Sequence, residues 1–447
     1  MKIAVRQPQV RALLARLFEA GLGAVDPGAA VRRAVRRAGA TLRVGDRRYV
    51  LRPDACMTAI GAGKASARMA AALEEIIGPQ LDRGLVVVKY DHAVPTRRID
   101  VCEAGHPVPD QAGQRAAARI VDFIGSLAPE DLLFVLLSGG ASSLLAAPAS
   151  GLTLRDKRRT TDLLLRSGAT IHDINCVRKH LSSIKGGRLA AATKARIVSL
   201  ILSDVQGDDL GTIGSGPTAP DPSSFADARA VLQRYGIWDA APARVRAHLL
   251  AGSRKVHEET PKPGSPLFRL VDNHIIGNNR LAVEAVAAEA RRAGFTPLVL
   301  TTSLTGEAKD AARVFGAIGR ELVAFNRPAN RPACVIAGGE LTVTVRGAGK
   351  GGRAQEFALA AALEITGLPG ICIAALGTDG TDGPTDAAGA VVDGDTVSRA
   401  ARQGIDPRDA LRRSDSYAFF KKAGGHIVTG PTGTNVNDLH LLLAWPR

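Results

Sequence analysis

The chain carries the tetrapeptide Gly-Ala-Gly-Lys twice, at residues 61–64 and 347–350. Each copy follows a short apolar run that predicts a strand and precedes an alanine-rich run that predicts a helix. A glycine turn before a helix presents backbone N–H groups and the positive end of the helix dipole to an anion, and a lysine adds a full charge. Two such turns from distant parts of the chain suggest two walls of a phosphate-binding cleft.

The first turn does not follow a standard nucleotide-binding motif. Gly61, Gly63 and Lys64 lack the GxxxxGK[ST] spacing of a P-loop, and Ser66 stands where GxGxxG needs its third glycine. A tight turn with a lysine at the surface explains these residues as well as a phosphate contact does. The spacing therefore leaves both interpretations of Lys64 open.

A second loop rich in glycine and hydroxyl groups follows the apolar run 132–137. Its backbone and side-chain donors could surround phosphate oxygens. The candidate binding residues are Ser138, Gly139, Gly140, Ser142 and Ser143. The GxSxG elbow of a serine nucleophile is missing, which disfavours covalent catalysis. A helix cap at Ser142 or Ser143 is the alternative interpretation.

Two carboxylates follow buried-strand patterns at positions where ligands bind in open α/β sheets. Asp204 comes just after the apolar run 197–202, and Asp379 follows the run 371–376. Mg²⁺ takes one or two protein carboxylates and keeps water or phosphate oxygens as its other ligands, so either residue could hold it. Asp379 could instead act as a general base or close an Asx turn.

The second glycine turn lies between a carboxylate and an arginine. Glu340 precedes it, and Gly347, Gly349 and Gly352 satisfy GxGxxG, but no acidic residue ends a second strand about 20 positions later, as a dinucleotide site requires. Arg353 stands at the start of the predicted helix, where it could clamp a carboxylate or phosphate with two hydrogen bonds. Glu340 and Gly349 are the candidate binding residues here.

The elements that position these loops alternate between strand and helix along the whole chain. Strands without polar alternation are buried on both faces, which predicts a doubly wound, mostly parallel sheet. A polar, proline-rich segment at 253–266 is the candidate linker, so we predict one α/β domain at residues 1–255 and a second at 256–447. Residues 341–345 have the pattern of a further strand.

Composition indicates a globular enzyme without a membrane anchor. The 447 residues are 45% hydrophobic, and no apolar run approaches the roughly 18 residues of a membrane span. The chain begins without a signal-peptide pattern, and its five cysteines are far apart, so we expect a cytoplasmic protein without a disulfide or zinc framework.

The net charge of +15 could serve nucleic acid or an anionic small substrate, and nucleic acid is disfavoured because only 4% of the residues are aromatic and stacking platforms are scarce. Part of that charge comes from arginines that recur at helical spacing near the start of the chain. We predict that they form a solvated helix face: Arg32, Arg33, Arg36 and Arg37.

Several segments together resemble the bacterial-type glycerate 2-kinases, the class II enzymes with a MOFRL C-terminal domain. The most specific of them is the glycine- and asparagine-rich stretch 429–439, which resembles the C-terminal signature of that family. The similarity covers nearly the whole chain. The other matching segments are 61–64, 137–143, 180–187, 203–217 and 337–356.

The resemblance implies ATP-dependent phosphorylation of D-glycerate at its 2-hydroxyl, with Mg²⁺, giving 2-phosphoglycerate and ADP. It implies a Rossmann-like N-terminal domain and a smaller C-terminal α/β domain, with the active site in the cleft between them. By motif match, the principal catalytic positions are Lys64, Arg353 and Asp379, with Glu340 and Asp204 beside them. Asn435 and Asn437 of the signature are placed near the cleft as binding residues.

Two other functions remain open at the level of sequence. Some relatives carry a hydroxypyruvate reductase name, which predicts an NAD(P)H-dependent enzyme and is disfavoured by the missing dinucleotide fingerprint. A nucleic-acid binder is suggested by the positive charge and disfavoured by the scarce aromatic residues. We expect D-glycerate as the small-molecule partner, no nucleic-acid or membrane partner, and a monomer or homodimer.

Overall fold

The computed structural model describes residues 1–5, 7–52 and 55–446. The chain folds into two compact units, which we call the terminal unit (Met1–Asp26 with Gly277–Arg447) and the central unit (Pro27–Ile276). The sequence-based boundary after residue 255 and the polar segment 253–266 lie inside the central unit. That segment is held there by hydrogen bonds, for example from the Thr260 hydroxyl to the Asp221 carboxylate at 3.0 Å.

Sixteen strands are present in the described ranges. In chain order they are β1 (Lys2–Ile3), β2 (Val35–Ala38), β3 (Thr41–Val44), β4 (Arg47–Val50), β5 (Met57–Ala62), β6 (Leu81–Lys89), β7 (Ile99–Ala104), β8 (Leu132–Leu137), β9 (Arg196–Leu202), β10 (Val271–Gly277), β11 (Thr296–Leu304), β12 (Ala333–Gly339), β13 (Ile371–Gly377), β14 (Gly389–Asp393), β15 (His426–Val428) and β16 (Asp438–Ala444).

The same ranges contain sixteen α-helices. They are α1 (Pro8–Ala24), α2 (Pro27–Ala34), α3 (Ser66–Ile77), α4 (Gln111–Gly125), α5 (Ala141–Leu144), α6 (Leu154–Arg166), α7 (Ile171–His180), α8 (Arg188–Ala191), α9 (Phe225–Arg234), α10 (Ala243–Ser253), α11 (Asn279–Arg292), α12 (Ala308–Phe325), α13 (Arg353–Glu364), α14 (Thr396–Arg402), α15 (Pro407–Arg412) and α16 (Ser416–Ala423).

The central unit is built on a six-stranded sheet in the order β10-β9-β8-β5-β6-β7. Its strands from β9 to β7 are mutually parallel. Every residue of β5 and β8 is buried, as expected of strands covered by helices on both faces. The predicted parallel α/β sheet is therefore confirmed, and the carboxyl ends of five neighbouring strands meet at one edge.

The terminal unit contains a seven-stranded mixed sheet in the order β1-β15-β14-β13-β16-β12-β11. Strand β16 runs antiparallel between β12 and β13, so the carboxyl ends of β12 and β13 lie beside the amino end of β16. Helix α13 packs on this sheet, with Phe357 against His440 of β16 at 4.7 Å between ring centroids, and on helix α12, with Phe357 against Phe315 at 5.1 Å.

Two predictions of secondary structure are wrong, one for the arginines after residue 31 and one for the segment 341–345. Helix α2 ends at Ala34, and Arg36 and Arg37 lie in strand β2, because Gly39 adopts a positive φ and turns the chain into a hairpin with β3. Arg32, Arg33 and Arg36 are nevertheless exposed, as predicted for a solvated face.

The segment 341–345 is not a strand, although its sequence alternates. Strand β12 ends at Gly339 and is paired with β11 on one side and with β16 on the other. The segment that follows it therefore has no free edge of β12 to pair with. Thr342 then makes a single bridge with Glu307. None of the helices within the described ranges is both long and apolar enough to cross a membrane.

Candidate functional site

The central unit gathers the first group of predicted site residues on one edge of its sheet. Strands β9, β8 and β5 are parallel neighbours, so the loops that follow them emerge side by side. Asp204 follows β9, the loop 138–143 follows β8, and Gly63 and Lys64 follow β5. This edge is where open α/β sheets bind ligands.

The glycine turn after β5 is tightly joined to the loop after β8. The Lys64 N–H donates to the Gly139 carbonyl at 2.9 Å, and the Ala65 N–H donates to Ser138 Oγ at 3.0 Å. A Cβ added at Gly63 would lie 2.1 Å from Ser138 Oγ, so only glycine fits there. These N–H groups are thus engaged within the protein and are not available to an anion, and a role for the Lys64 ammonium in binding phosphate stays a prediction.

His106 covers the same loop from the end of strand β7. A Cβ at Gly140 would lie 2.9 Å from its ring, and Gly140 has a φ of +90°. Burial lowers the pKa of His106 to about 4, with smaller contributions from the positive charges of Lys64 and Lys89. His106 is therefore a neutral imidazole at pH 7, which adds no positive charge to this edge.

The serines of the loop take different partners. Ser142 Oγ lies 2.8 Å from Ser215 Oγ, and the Ser143 hydroxyl donates to the Gly140 carbonyl at 3.0 Å. Helix α5 begins at Ala141 with Gly140 as its N-cap. The alternative interpretation of Ser142 or Ser143 as a helix cap is therefore wrong.

The terminal unit gathers the second group at an edge of its own sheet. Glu340 follows β12, Asp379 follows β13, and Asp438 begins β16 between them. The register pairs Asp438 with Gly339 on one side and with Gly377 on the other. Three carboxylates are thus brought to the same edge from distant parts of the sequence.

Arg353, the first residue of α13, is bonded to two of these carboxylates. Its Nε and Nη2 donate to Asp438 Oδ2 and Oδ1 at 2.5 and 3.0 Å, and its Nη1 donates to Glu340 Oε1 at 2.6 Å. Burial raises the pKa of Asp438 to about 7, against the hydrogen bonds and charge of Arg353, which lower it. Burial lowers the pKa of Arg353, but the two carboxylates outweigh it, so the guanidinium stays charged.

A further carboxylate caps the same helix. Asp382 accepts hydrogen bonds from the N–H groups of Ala354 and Gln355 at 3.0 and 2.8 Å. It is buried, and burial raises its pKa, while these hydrogen bonds lower it. Because a carboxylate already occupies the N–H groups of the first turn of α13, this helix terminus does not offer them to an external anion.

The second glycine turn packs against the loop between α15 and α16. The Gly349 N–H donates to the Arg413 carbonyl at 3.2 Å, and the Lys350 N–H donates to Asp415 Oδ1 at 3.1 Å. A Cβ at Gly349 would lie 2.5 Å from the Cβ of Asp415. The close approach of the two loops explains the glycine, so Gly349 as a ligand-binding residue stays a prediction.

Asp379 and the two asparagines of the C-terminal signature hold neighbouring loops. Asp379 Oδ1 accepts from the Thr381 N–H and hydroxyl at 3.0 Å each, so the Asx turn is confirmed. Asn435 Oδ1 accepts from the Asn437 N–H at 3.3 Å, and the Asn437 carbonyl accepts from the Thr378 N–H at 3.1 Å. Contact of these side chains with a substrate remains a prediction.

Sequence reasoning missed the role of Asp438. Asp438 is the first residue of an apolar run that predicts a buried strand, and its partner Arg353 lies 85 residues away in the sequence. A buried acidic residue at the start of an apolar strand was the available signal, since such a carboxylate needs a cationic partner. Glu356 was also missed: it is buried one turn beyond Arg353, and burial raises its pKa to about 7.

A preformed multi-carboxylate metal centre is absent from the residues that the structure describes, which contain no group of three or more potential ligands. Mg²⁺ does not require one, because it keeps several water or phosphate ligands. Single carboxylates at the sheet edges, Asp204 and Asp379, therefore fit the ligand set of this metal.

Comparison with known proteins defines the family. Residues 13–250 match a family model described as a domain of unknown function (DUF4147), and residues 333–438 match the MOFRL family. The Glycerate 2-kinase of Pyrococcus horikoshii is 43% identical over 96% of this chain and 96% of its own. The D-glycerate 2-kinase of Thermotoga maritima is 44% identical over 85% of this chain and 88% of its own.

Solved structures agree with these relatives. A crystal structure of glycerate kinase from Thermotoga maritima covers 98% of this chain and 100% of its own, with a TM-score of 0.87 and 40% identity. A protein of Agrobacterium vitis, 44% identical over 97% of this chain and 94% of its own, carries hydroxypyruvate reductase as a provisional name. The fold is therefore the α/β fold of glycerate kinases with solved structures. The chain belongs to the glycerate kinase family and carries a C-terminal MOFRL domain.

Proposed function

We propose that this protein transfers the terminal phosphoryl group of ATP to the 2-hydroxyl of D-glycerate, giving 2-phosphoglycerate and ADP. The observation that carries the proposal is similarity along nearly the whole chain to a D-glycerate 2-kinase, in sequence and in fold. Phosphoryl transfer needs positive groups near the phosphates, an aligned acceptor and exclusion of water rather than covalent chemistry by the protein. Both sheet edges supply groups of that kind.

In the central unit, Lys64 is the group proposed to stabilise charge on the transferring phosphoryl group. Its backbone is fixed by the loop after β8, so the side chain starts from a defined position at the sheet edge. The burial of Ser138 and the close approach of Gly63 make this arrangement rigid. A preorganised cation of this kind lowers a barrier without reorganising during the reaction.

In the terminal unit, Arg353 is proposed to bind the carboxylate of glycerate or a phosphate. Asp438 is almost fully buried, whereas the Glu340 side chain is 47% exposed. An incoming anion would therefore replace Glu340 as the partner of Nη1 and leave the Asp438 contact in place. Asp379 is proposed to accept the proton of the 2-hydroxyl or to bind Mg²⁺.

Mg²⁺ would be held by Asp204 or Asp379 together with phosphate oxygens. The metal supplies charge neutralisation on the phosphates when it is bound. The chain's own residues then have to bind and orient the two substrates and remove the hydroxyl proton.

The reductase alternative is disfavoured by the second glycine turn. A dinucleotide site needs a glycine turn between a strand and a helix N-terminus that faces a pyrophosphate. Here no strand precedes the turn, and the Asp382 carboxylate occupies the N–H groups of α13. A negative charge at that position would repel a pyrophosphate.

The test is an assay of the purified protein with D-glycerate, ATP and Mg²⁺, following ADP release and identifying the product by phosphorus NMR. ADP with 2-phosphoglycerate supports the proposal. Formation of 3-phosphoglycerate would contradict the regiochemistry. The same preparation is tested with hydroxypyruvate and NADH, where oxidation of NADH without kinase activity would overturn the kinase.

A further inference from the structure

His92 lies in the loop that follows strand β6 and contacts the turn that carries Lys64. Its ring Nδ1 lies 3.2 Å from the Lys64 carbonyl oxygen and donates to it. Strand β6 is the parallel neighbour of β5, with Ala62 paired to Val87, so the loops that leave the carboxyl ends of these two strands emerge together. The contact therefore joins a further loop to the turn after β5, in addition to the loop after β8.

Both polar atoms of the Lys64 backbone are thus bonded to other loops. Its N–H donates to the Gly139 carbonyl at 2.9 Å, and its carbonyl accepts from His92. The N–H of the preceding residue, Gly63, donates to the Val87 carbonyl at 3.1 Å. Because only two dihedral angles per residue are soft, bonds to the peptide groups on both sides of Lys64 fix the direction of its Cα–Cβ bond.

The loop that carries His92 is itself anchored to neighbouring elements. The Asp91 N–H donates to Glu103 Oε1 of strand β7 at 2.8 Å. The Tyr90 hydroxyl donates at 2.7 Å to Oδ2 of Asp110, the N-cap residue of helix α4. The imidazole of His92 therefore extends from a backbone that is held by residues outside the turn after β5.

The acceptor determines which nitrogen of the His92 ring carries the hydrogen. A carbonyl oxygen can only accept, so Nδ1 carries the hydrogen and, in the neutral ring, Nε2 carries the lone pair. Burial lowers the pKa of His92, and the charges of Lys89 and Lys64 lower it as well, while the hydrogen bond to the Lys64 carbonyl and the charge of Asp91 raise it. The net shift is downward, so the ring is neutral at pH 7.5.

We propose that His92 is a positioning residue for Lys64, because its Nδ1–H holds the Lys64 carbonyl and thereby fixes the point from which the ammonium reaches the transferring phosphoryl group. Under the proposed function, on which this role rests, Lys64 stabilises charge in the transition state. Such a group is effective only when it is held in place before the reaction, and small misplacements reduce the rate. His92 acts through the Lys64 backbone and needs no contact with either substrate.

Two substitutions of His92 separate the hydrogen bond from the space that the ring fills. In His92→Asn the side-chain amide nitrogen takes the place of Nδ1, at the same number of bonds from the backbone, and can donate to the Lys64 carbonyl. In His92→Phe a ring remains but the donor is lost. We expect His92→Phe to lower kcat by about 10-fold with KM within about twofold, and His92→Asn to keep kcat within about threefold of the wild type.

A double-mutant cycle tests whether His92 acts through Lys64. The Lys64→Met protein already lacks the cation, so adding His92→Phe should lower kcat by no more than about twofold. His172→Phe, at an exposed position of the same unit, is the control and should leave kcat unchanged in both backgrounds. Losses that multiply in the double variant would mean that His92 acts independently of Lys64 and would overturn the proposal.

The tautomer of His92 provides a readout that needs no enzymatic activity. Long-range proton–nitrogen NMR spectra of the protein with 15N-labelled histidine, recorded at pH 7.5, should contain signals of an Nδ1–H ring that are missing in His92→Phe. An Nε2–H ring at His92 would overturn the proposal even if His92→Phe failed to fold. The melting temperatures of the variants show which of them are folded.

The outcomes for His92 and for the proposed function are distinct. Equal kcat in the wild type and in His92→Phe, or equal losses in His92→Asn and His92→Phe, would overturn the positioning role in an active kinase. A wild-type protein that forms no ADP from ATP and D-glycerate would contradict the proposed function, and the positioning role in that reaction would be overturned with it.

Discussion

The Asp438 carboxylate holds the guanidinium of Arg353 through two hydrogen bonds, to Nε at 2.5 Å and to Nη2 at 3.0 Å. Asp438 is buried between β12 and β13, whose register fixes its position from both sides. The guanidinium plane is thereby set by the sheet rather than by the helix that carries Arg353. Nη1 contacts the exposed Glu340, so ligand exchange would take place at that end of the guanidinium.

We predict that Asp438→Asn lowers kcat by about 10- to 100-fold, because Arg353 loses the charged partner that orients it and small misplacements at a site have effects of that size. Removal of one member of a buried ion pair also destabilises a protein by about 3–5 kcal/mol. Steady-state kinetics and denaturant unfolding measure the two effects. Asp310→Asn, an exposed residue on α12, is the control. Wild-type kcat in Asp438→Asn would show that Arg353 does not depend on this contact.

The two Gly-Ala-Gly-Lys turns should differ in function. Lys64 follows β5 at the carboxyl edge of a parallel sheet, whereas the turn that contains Lys350 packs on the loop around Arg413. We predict that Lys64→Met lowers kcat by about 10²- to 10³-fold, as for loss of a transition-state contact, and that the exposed Lys350→Met stays within about threefold of the wild type. Both proteins should unfold at the wild-type temperature. Equal losses of kcat in the two variants would contradict this prediction and would mean that the two lysines have equivalent roles, as the shared tetrapeptide suggests.

The sequence correctly predicted those elements whose formation depends on residues that are neighbours in the chain. Strand β8 was predicted at its observed bounds because an apolar run buried on both faces has no competing pattern. Lys64 was placed correctly at a strand end for the same reason.

The features that depend on distant partners were not predictable in this way. The segment 341–345 has a strand pattern, but a strand forms only beside another strand whose backbone groups are unpaired. Strand β12 has no such free side, because β11 and β16 already pair with it. The pairing of Arg353 with Asp438 and the capping of α13 by Asp382 join residues far apart in sequence. Neither leaves a periodic signal, because tertiary structure alone brings the partners together.

The buried His440 should make the terminal unit less stable in acid. Burial and, to a smaller extent, the Arg353 charge together lower its pKa from 6.5 to about 3. As the pH falls below 6.5, the unfolded chain binds a proton that the folded chain does not bind until about pH 3. The free energy of unfolding therefore decreases over this window, by at most about 1.4 kcal/mol per pH unit for one proton.

We predict that His440→Phe, which keeps an aromatic ring against Phe357, reduces the loss of stability between pH 7.5 and pH 5 by about 2 kcal/mol. Urea unfolding at the two pH values measures it. His172→Phe, at an exposed position, is the control and should keep the wild-type pH dependence. An unchanged pH dependence in His440→Phe would mean that His440 is not the group that titrates.

Gly63 is the position where the turn after β5 is least tolerant of a side chain. Its φ is +138°, and an added Cβ would lie 2.1 Å from Ser138 Oγ and 2.5 Å from the Ser138 carbonyl oxygen. Gly78 offers a matched control in the same unit, because its φ is +67° but an added Cβ would meet no atom within 4 Å. Gly78→Ala thus carries the backbone strain of a positive φ, about 1–3 kcal/mol, without a collision. We expect Gly63→Ala to add an overpacking penalty of about 1–3 kcal/mol to a similar strain and to lower kcat, because Ser138 and the Lys64 backbone must move. Urea unfolding and kinase assays of the two variants measure these effects, and equal stability with equal kcat would show that the contact between the two loops does not position Lys64.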